Sequence, residues 1–529
     1  MSGSNFDYDW LVVGSGFGGS VSALRLAEKG YRVGVLEKGR RYTDADLPRS
    51  TSDRRSFLWA PALGWRGIMR LRLFKDLFTP TQTGVGGGSL VYGGVLLRAR
   101  PAFFDDPQWR DLGSWADVLD RHYRVAERML GVAVPPFESA NQRLAQEMAA
   151  HLGDGATFTR APAGVFFGEP GRTVPDPYFD GEGPDRTGCT RCGACMVGCR
   201  VGAVNSLGKN YLWFADKLGV TIMPERVVVD VAPIGAPDGS DGYRVTTRQP
   251  GPWSKRDVRS FTAHGVVLAG GALGTNELLA NCKARRSLPR LSSMLGELVR
   301  TNSESILTVQ LPEDRRTWND ITASTSIRID DDTSIELLTY GRDADVLGRL
   351  YTVLVGDGGR VTRPLRWLVA MATHPGDTRK TLRVSGWSER TVMLLVMQAL
   401  DNAIALRPKR RRFGRGYRLV TEQHRDRPNP TYIDAGNRAA KWLAQQTGGL
   451  AQSNLLEAVA NIPTTAHVLG GAVIGADGTR GVIDENLHVH GYRNLLVCDG
   501  SAMPANPGVN PALTITALAE YAMASITPA

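Results

Sequence analysis

Near its amino terminus the chain reads Trp10-Leu-Val-Val-Gly14-Ser-Gly16-Phe-Gly-Gly19. The apolar run at residues 10–13 predicts a short buried strand, and residues 16–29 predict a helix that ends at Gly30. Residues 32–36 predict a second apolar strand, so the three elements form a β-α-β unit. The glycines between strand and helix follow the G-x-G-x-x-G pattern in the context that a dinucleotide site requires.

Each glycine of this pattern has a physical task. Gly14 turns the chain, Gly16 lets a pyrophosphate approach the backbone, and Gly19 lets the helix pack closely on the strand. The amino terminus of the helix attracts the anion. Glu37, roughly 20 residues further on, ends the second strand and is placed to accept hydrogen bonds from ribose hydroxyls. This unit predicts a dinucleotide site but does not distinguish NAD from FAD.

Two later segments predict further strands of the same sheet. Residues 266–271 read as a strand that runs into a helix, and residues 495–499 read as another strand near the carboxyl terminus. The predicted dinucleotide-binding domain is therefore discontinuous. Residues 48–204 and 303–475 are left for a second domain.

The composition is that of a globular protein. The chain has 529 residues, 42% hydrophobic and 22% charged, which excludes a disordered protein. The net charge of +10 permits anionic partners without demanding them. No signal peptide is recognised, and the longest apolar stretch, residues 392–406, is shorter than the roughly 20 residues that cross a bilayer. We expect a cytoplasmic protein with reduced thiols.

Two further segments carry a family resemblance. The first, Thr83-Gly-Val-Gly-Gly-Gly-Ser89-Leu-Val-Tyr92-Gly-Gly94, is either a flexible loop or backbone that passes close to a flat, bulky group. The second is the tail Cys498-Asp-Gly-Ser501-Ala-Met-Pro504-Ala-Asn506-Pro-Gly-Val-Asn510-Pro511. Together with the amino-terminal glycines, they resemble the glucose-methanol-choline (GMC) flavin oxidoreductases, in particular the bacterial cholesterol oxidase-like branch with non-covalent FAD.

The resemblance implies FAD as cofactor and an α/β fold. A discontinuous Rossmann-like FAD-binding domain would comprise residues 1–47, 205–302 and 476–529. An α+β substrate-binding domain with an antiparallel sheet would comprise residues 48–204 and 303–475. The implied cofactor contacts are Gly14, Gly16, Gly19, Glu37, Gly84, Gly88, Ser89, Val227, Gly270, Asp499, Gly500 and Asn510. Tyr92 departs from the Asn found at this position in some steroid oxidases.

The resemblance also implies the catalytic residues. His467, before a glycine pair, would act as general base or orient the substrate hydroxyl, and Asn510 would contact flavin or substrate. The implied reaction oxidises a secondary hydroxyl of a bulky apolar substrate, such as the 3β-hydroxyl of cholesterol, to a ketone. Glu336 falls where steroid oxidases carry an acid that moves a ring proton during double-bond isomerisation; it could equally be a solvent-facing carboxylate on a strand.

Four cysteines, Cys189, Cys192, Cys195 and Cys199, have the spacing of a ferredoxin run. This spacing favours a [3Fe-4S] or [4Fe-4S] cluster over zinc, whose sites separate the Cys pairs more widely. Three ways to complete the ligand set of the cluster are open. Cys199 folds back to the same cluster, a distant Cys such as Cys282 or Cys498 supplies the fourth ligand, or the cluster has only three irons. A structural thiol group is the alternative. With a cluster, an electron-carrier protein competes with oxygen as acceptor.

Two basic segments bear on partners. Residues 57–78 interleave aromatic and basic side chains, which is typical of a segment on a membrane surface or of an ordinary packed helix. The resemblance to the steroid oxidases implies a lid over an apolar cavity here. The run from Arg407 to Arg412 reads as a solvated loop, and no nucleic-acid-reading module accompanies it. Two rival functions remain: a long-chain alcohol dehydrogenase or oxidase that uses an iron-sulfur cluster, and a non-catalytic electron-relay flavoprotein.

Overall fold

The structure is a computed structural model that describes residues 6–153, 155–251, 257–412 and 416–529. Its strands are β1 (Tyr8–Val13), β2 (Val33–Leu36), β3 (Trp59–Ala60), β4 (Trp65–Arg66), β5 (Met69–Leu73), β6 (Phe78–Gln82), β7 (Thr157–Arg160), β8 (Thr173–Val174), β9 (Arg186–Thr187), β10 (Thr221–Met223), β11 (Val227–Pro233), β12 (Tyr243–Arg248), β13 (Arg259–Leu268), β14 (Val299–Arg300), β15 (Ser305–Gln310), β16 (Thr325–Arg328), β17 (Thr333–Leu338), β18 (Tyr351–Val353), β19 (Thr391–Gln398), β20 (Ile404–Arg410), β21 (Tyr417–Gln423), β22 (Leu450–Asn454), β23 (Leu469–Gly470) and β24 (Leu495–Val497). Its helices are α1 (Phe17–Glu28), α2 (Arg54–Phe57), α3 (Pro101–Phe104), α4 (Trp115–Leu130), α5 (Ala140–Leu152), α6 (Tyr211–Lys217), α7 (Ala272–Arg285), α8 (Thr362–Thr373), α9 (Pro375–Thr381), α10 (Asp434–Thr447), α11 (Leu455–Ala460) and α12 (Ala512–Ala524).

A mixed seven-stranded sheet carries the amino-terminal unit. Its order is β10-β2-β1-β13-β12-β11, and β24 pairs with the last residues of β13. The pairs among β10, β2, β1, β13 and β24 are parallel, whereas β11 and β12 add an antiparallel extension. The paired parts of the central parallel strands are largely apolar and buried, because α1 packs against β1, β2 and β13 and α12 packs in turn against α1. The four strands predicted for this sheet are β1, β2, β13 and β24.

A second seven-stranded sheet is antiparallel and has the order β18-β22-β15-β19-β17-β16-β7. Side chains alternate along each strand, so Ile335 and Leu337 of β17 pack towards α5 and α10. Glu336 therefore lies on the opposite face, which carries Met393 and Leu395 of β19. Together the two sheets confirm the predicted α/β class with an antiparallel sheet. The exact domain limits stay a prediction.

A small sheet, β21-β20-β14-β23, connects the segments around the candidate site. The antiparallel pairing of Arg300 with Leu469 brings the chain after β14 alongside the loop that holds His467. The basic run beginning at Arg407 belongs partly to β20, which pairs with β21 through Arg410, so the loop prediction is wrong for this part.

The alternative of one ordinary packed helix at residues 57–78 is also wrong. After α2 the chain forms the pairs β3-β4 and β5-β6. In β5, half-buried Arg70 and Arg72 alternate with exposed Leu71 and Leu73, which is the period of a strand. Arg72 pairs with Glu277 on α7 at 3.1 Å. Within the described ranges, no helix is long and apolar enough to cross a membrane.

Candidate active site

The turn between β1 and α1 is packed backbone against backbone. A Cβ added to Gly14 would lie 2.2 Å from the carbonyl oxygen of Ala269, and one added to Gly19 would lie 2.0 Å from that of Gly14. Gly14 also has a φ of +102°, which favours glycine. These glycines are therefore required by the close approach of β1, α1 and the end of β13.

Gly16 has the opposite environment. A Cβ added there would meet nothing within 4 Å. Gly16 precedes α1, whose first turn has no acidic residue and no side-chain cap. The free N–H groups of a helix amino terminus carry a partial positive charge. This open, positive position fits the pyrophosphate of a dinucleotide.

Glu37 holds the surrounding segments together. Its Oε2 accepts hydrogen bonds from the backbone N and the Oγ of Ser15, at 3.2 and 2.8 Å. Its Oε1 accepts from the backbone N of Gly39 at 2.8 Å and of Gly84 at 3.4 Å. A carboxylate offers about four lone-pair sites, so these protein donors already engage both oxygens. The predicted ribose contact stays a prediction.

The glycine-rich segment at residues 84–94 is ordered by its contacts. Ser89 Oγ donates to the carbonyl oxygen of Gly86 at 2.7 Å and accepts from the backbone N of Leu207 at 3.0 Å. The backbone N of Gly86 donates to Ser15 Oγ at 3.1 Å. A Cβ on Gly88 would lie 3.5 Å from the ring of Phe17 on α1. The segment thus lies directly against the β1-α1 turn, and the flexible-loop alternative is wrong.

The remaining predicted cofactor residues lie at the same edge of the sheet. Asp499, after β24, accepts from the backbone N of Gly271 at 2.8 Å and from Thr275 Oγ1 at 2.5 Å, and burial raises its pKa. Gly270 and Gly500 adjoin these residues in sequence. Val227 begins β11. The residue before it, Arg226, donates its backbone N to the carbonyl oxygen of Glu37 at 2.8 Å. Ligands of such sheets bind at the carboxyl ends of the parallel strands.

His467 lies beside a carboxylate that the sequence analysis missed. Its Nδ1 forms a close contact with Oε1 of Glu304, which is buried just before β15. Glu304 Oε2 accepts from the backbone N of Ala466 at 2.7 Å and from Thr465 Oγ1 at 2.9 Å. Burial lowers the pKa of His467, but the charge and hydrogen bond of Glu304 outweigh it and raise this pKa above its ordinary value.

Glu336 and Asn510 form the second half of the site. Asn510 Nδ2 donates to Glu336 Oε2 at 3.4 Å, and Glu336 is completely buried, so the solvent-facing alternative is wrong. Burial raises the pKa of Glu336 to about 8, against the opposing effects of nearby His467 and the Asn510 hydrogen bond. Among the described residues, Glu336 Oε1 and Asn510 Oδ1 have no hydrogen-bond partner. Buried acceptors of this kind are normally satisfied, which points to a ligand with a donor.

Asn302 fixes the tail that carries Asn510. Its Nδ2 donates to the carbonyl oxygen of Val509 at 3.0 Å, and its Oδ1 accepts from the backbone N of Gly508 at 2.9 Å. Ser334 Oγ of β17 donates to the carbonyl oxygen of Gly508 at 2.7 Å. The polar run Thr301-Asn302-Ser303-Glu304 before an apolar strand was the available sequence signal for Asn302 and Glu304.

The four clustered cysteines line one small cavity together with Asp320. Cys195 is buried and Cys192 is exposed. In the part of the chain that the structure describes, no group of three or more His, Cys, Asp or Glu side chains is arranged to hold a metal ion. The structure therefore does not support the predicted cluster at Cys189, Cys192, Cys195 and Cys199.

The alternative in which a distant cysteine completes the cluster is wrong. Cys282 lies in α7 and donates to Asp230 at 3.6 Å, and Cys498 lies after β24, where its carbonyl oxygen faces Gly18. Neither lines the cysteine cavity. The cavity lies next to the glycine-rich segment, because Met196, which follows Cys195 in sequence, is adjacent to Gly93.

Comparisons with known proteins agree with this geometry. Residues 398–519 match the model of the GMC oxidoreductase family, and residues 12–43 match that of an NAD(P)-binding Rossmann-like domain. A cholesterol oxidase of Mycobacterium tuberculosis is 46% identical over 99% of this chain and 91% of its own. A cholesterol oxidase of Acinetobacter baumannii is 40% identical over 99% of this chain and 95% of its own.

Solved structures share the fold at low identity. A pyridoxine 4-oxidase superposes with a TM-score of 0.61 at 16% identity, and a fungal aryl-alcohol oxidase with a TM-score of 0.59 at 16% identity. Each comparison covers 98% of both chains. The resemblance stated from the sequence is confirmed: the chain belongs to the GMC oxidoreductase family, in its cholesterol oxidase-like branch.

Proposed function

We propose that this protein is an FAD-dependent oxidoreductase that converts the 3β-hydroxyl of a sterol to a ketone. The observation that carries the proposal is the group of partly buried His467 with buried Glu304, Glu336 and Asn510, in which two acceptor atoms have no hydrogen-bond partner among the described residues. Such a group suits a substrate hydroxyl in an apolar setting. The cholesterol oxidases that are 40–46% identical over nearly the whole chain support a sterol as the substrate.

When bound, FAD supplies the acceptor for the hydride that leaves the carbinol carbon. Gly16 and the start of α1 would hold its pyrophosphate. The chain's own task is to orient the hydroxyl and take its proton. Because Glu304 engages Nδ1 of His467, Nε2 is the nitrogen available to the hydroxyl. Asn510 is fixed beside Glu336 and would hold the hydroxyl from a second side.

Anaerobic mixing of the holoenzyme with a panel of alcohols tests the proposal. We expect 3β-hydroxysterols to bleach the flavin, and 3α-epimers and long-chain primary alcohols to do so poorly. Bleaching by long-chain alcohols alone would show that the long-chain alcohol rival is correct. Bleaching by no alcohol, with reduction by a protein donor, would favour the electron-relay rival.

The electron acceptor is proposed to be oxygen, as the names of the oxidases similar to this chain suggest. Admission of oxygen after anaerobic bleaching should restore the oxidised flavin spectrum within the turnover time. A carrier protein is the second candidate, and it would require an iron-sulfur cluster among the four cysteines that line one cavity. Slow reoxidation, together with iron and acid-labile sulfide in anaerobically purified protein, would establish that second candidate.

We propose that Glu336 moves a ring proton during double-bond isomerisation. Only the ionised carboxylate can take the proton, and the pKa of Glu336 is raised to about 8. Isomerisation should therefore accelerate as pH rises through about 8 and then level off. Glu336→Gln should slow it by roughly 10²–10⁴-fold, because the amide is not a base. The measurement is the ultraviolet absorbance of the conjugated enone against total ketone; unchanged conjugation in the variant would exclude this role.

We propose further that an exposed apolar face contacts an anionic lipid bilayer. On α8, Leu365, Leu368 and Val369 are 55%, 53% and 61% exposed. Arg366 on the same helix and Lys380 on α9 are exposed and would face lipid phosphates. Exposed apolar side chains combined with basic ones are typical of helices that bind the membrane interface.

The double substitution of Leu365 and Leu368 with serine tests this face. We expect binding to phosphatidylserine-containing vesicles to weaken about tenfold, because two leucines lose apolar contact. Co-flotation with vesicles is the measurement. Leu218→Ser, at a leucine that is 54% exposed elsewhere, is the matched control and should bind as the wild type does. Equal vesicle binding by the wild type, the double variant and Leu218→Ser would exclude this face as the membrane contact.

A further inference from the structure

Glu304 is a buried carboxylate whose contacts are divided between two tasks. Its Oε2 accepts from the backbone N of Ala466 and from Thr465 Oγ1, at 2.7 and 2.9 Å. Its Oε1 contacts Nδ1 of His467. The residue is 2% exposed. One oxygen thus holds the loop before the histidine, and the other holds the imidazole ring.

The backbone before Glu304 is held in an uncommon conformation. Asn302 and Ser303 have φ angles of +57° and +45°, in the left-handed region that non-glycine residues seldom adopt. Their side chains bind the tail and Asn402 respectively. Such conformations persist where the surrounding contacts impose them. Here they follow β14 directly and deliver Glu304 to the histidine loop.

The Oε1 contact determines which nitrogen of the histidine carries the proton. A carboxylate only accepts hydrogen bonds, so the contact requires a proton on Nδ1. In the neutral imidazole this leaves Nε2 unprotonated. Nε2 has no hydrogen-bond partner among the described residues and is free to accept a hydrogen bond from a hydroxyl.

We infer that Glu304 is a positioning residue that selects the tautomer of His467 in which Nε2 serves as the base. This inference rests on the proposed alcohol oxidation. The merely structural alternative is that Glu304 only ties down residues 465 and 466.

Glu304→Gln separates the two roles. The glutamine carbonyl can still accept from Ala466 and Thr465, so the loop keeps its ties. Its amide NH₂ would then face Nδ1 and require an unprotonated nitrogen there, which moves the proton to Nε2. A tautomer forced in this way in a serine protease triad costs about 10⁴-fold in kcat. We expect a loss of roughly 10²–10⁴-fold in kcat here, with KM little changed and FAD retained.

Glu457→Gln is the matched control. Glu457 is also a fully buried glutamate, but it accepts from Ser305 Oγ at 3.1 Å and from the backbone N of Thr464 and lies near Arg363, and it makes no hydrogen bond to His467. It reports the general cost of neutralising a buried carboxylate in this region. We expect its kcat to stay close to the wild-type value in the fraction that retains flavin.

Two further measurements distinguish a Glu304 that selects the tautomer of His467 from one that only ties down residues 465 and 466. The charged groups that face His467 are Glu304 and Glu336, and Glu304 raises its pKa. Removing the Glu304 charge should therefore move the acidic limb of kcat to lower pH. ¹⁵N-histidine NMR of the holoenzyme reads the tautomer directly, and the signal of His467 is the one that disappears in His467→Asn. This signal should show a protonated Nδ1 in the wild type and a protonated Nε2 in Glu304→Gln.

The same Nε2-unprotonated tautomer in both proteins, with wild-type kcat in Glu304→Gln, would overturn the inference. The NMR result does not depend on turnover. If the wild-type protein oxidises no alcohol, the proposed function fails, while the NMR comparison still decides whether Glu304 selects the tautomer.

Discussion

Replacement of His467 with alanine is expected to lower kcat for a 3β-hydroxysterol by roughly 10²–10⁴-fold, the usual contribution of a positioned base. The imidazole is held by Glu304 and lies close enough to Glu336 to lower the pKa of that carboxyl. No other histidine is part of this group of side chains in the described structure. The hydroxyl proton would then have to leave without a positioned acceptor.

The flavin should remain bound in this variant, because His467 takes no part in the glycine-rich contacts around Gly16. Visible spectra would show the bound cofactor, and stopped-flow bleaching under anaerobic conditions would give the rate of the reductive step. His264→Ala is the matched control, since His264 is exposed on β13 and binds Asn494 at 2.9 Å. A variant at His467 with unimpaired bleaching would remove the histidine from the mechanism and favour an electron relay.

Substitution of Gly16 with valine is expected to weaken FAD binding strongly while the chain still folds. A Cβ at this position meets no protein atom within 4 Å, and the φ of −71° is open to any residue. The added volume would instead occupy the place of the pyrophosphate. An overpacked contact costs about 1–3 kcal/mol, which corresponds to a loss of roughly 10–100-fold or more in affinity.

Flavin content after gel filtration, together with thermal unfolding of the apoprotein, measures both halves of this prediction. Gly356→Val is the control, because a Cβ there also meets nothing within 4 Å but the residue lies far from α1 in sequence. Gly18→Ala offers a contrast: its Cβ would lie 1.6 Å from the carbonyl oxygen of Cys498, so we expect a folding defect. Wild-type flavin content in Gly16→Val would place the cofactor elsewhere.

The residues proposed to bind the cofactor could be predicted because they lie close together in the sequence. The glycines from Gly14 to Gly19 and the acid at Glu37 belong to a single β-α-β unit, whose spacing follows from the geometry of a turn and a helix. Period-two alternation likewise explains the burial of Glu336 once β17 is paired with β19. That burial could not be read from the sequence, since a carboxylate between apolar neighbours suits either face of a strand.

Other features depend on pairings between distant segments. Glu304 and His467 are 163 residues apart, and the short strands β14 and β23 bring them together. The segment that contains β5 suited either a basic membrane-surface segment or an ordinary packed helix, because short apolar-basic segments fit either period. The exposure of Leu365 and Leu368 on α8 is likewise shown only by the three-dimensional arrangement.

The sequence alone was therefore sufficient to predict the family, the α/β class and the dinucleotide turn. All three depend on contiguous motifs, in which the interacting residues are close together in sequence. It also pointed to His467 and Asn510 through the motifs around them, and their catalytic roles stay a prediction. The partners of those residues, the burial of Glu336 and the arrangement of the four cysteines around one cavity emerged only from the folded chain. Each of these depends on which strands pair and on which face of a sheet a side chain lies, and a contiguous motif contains neither.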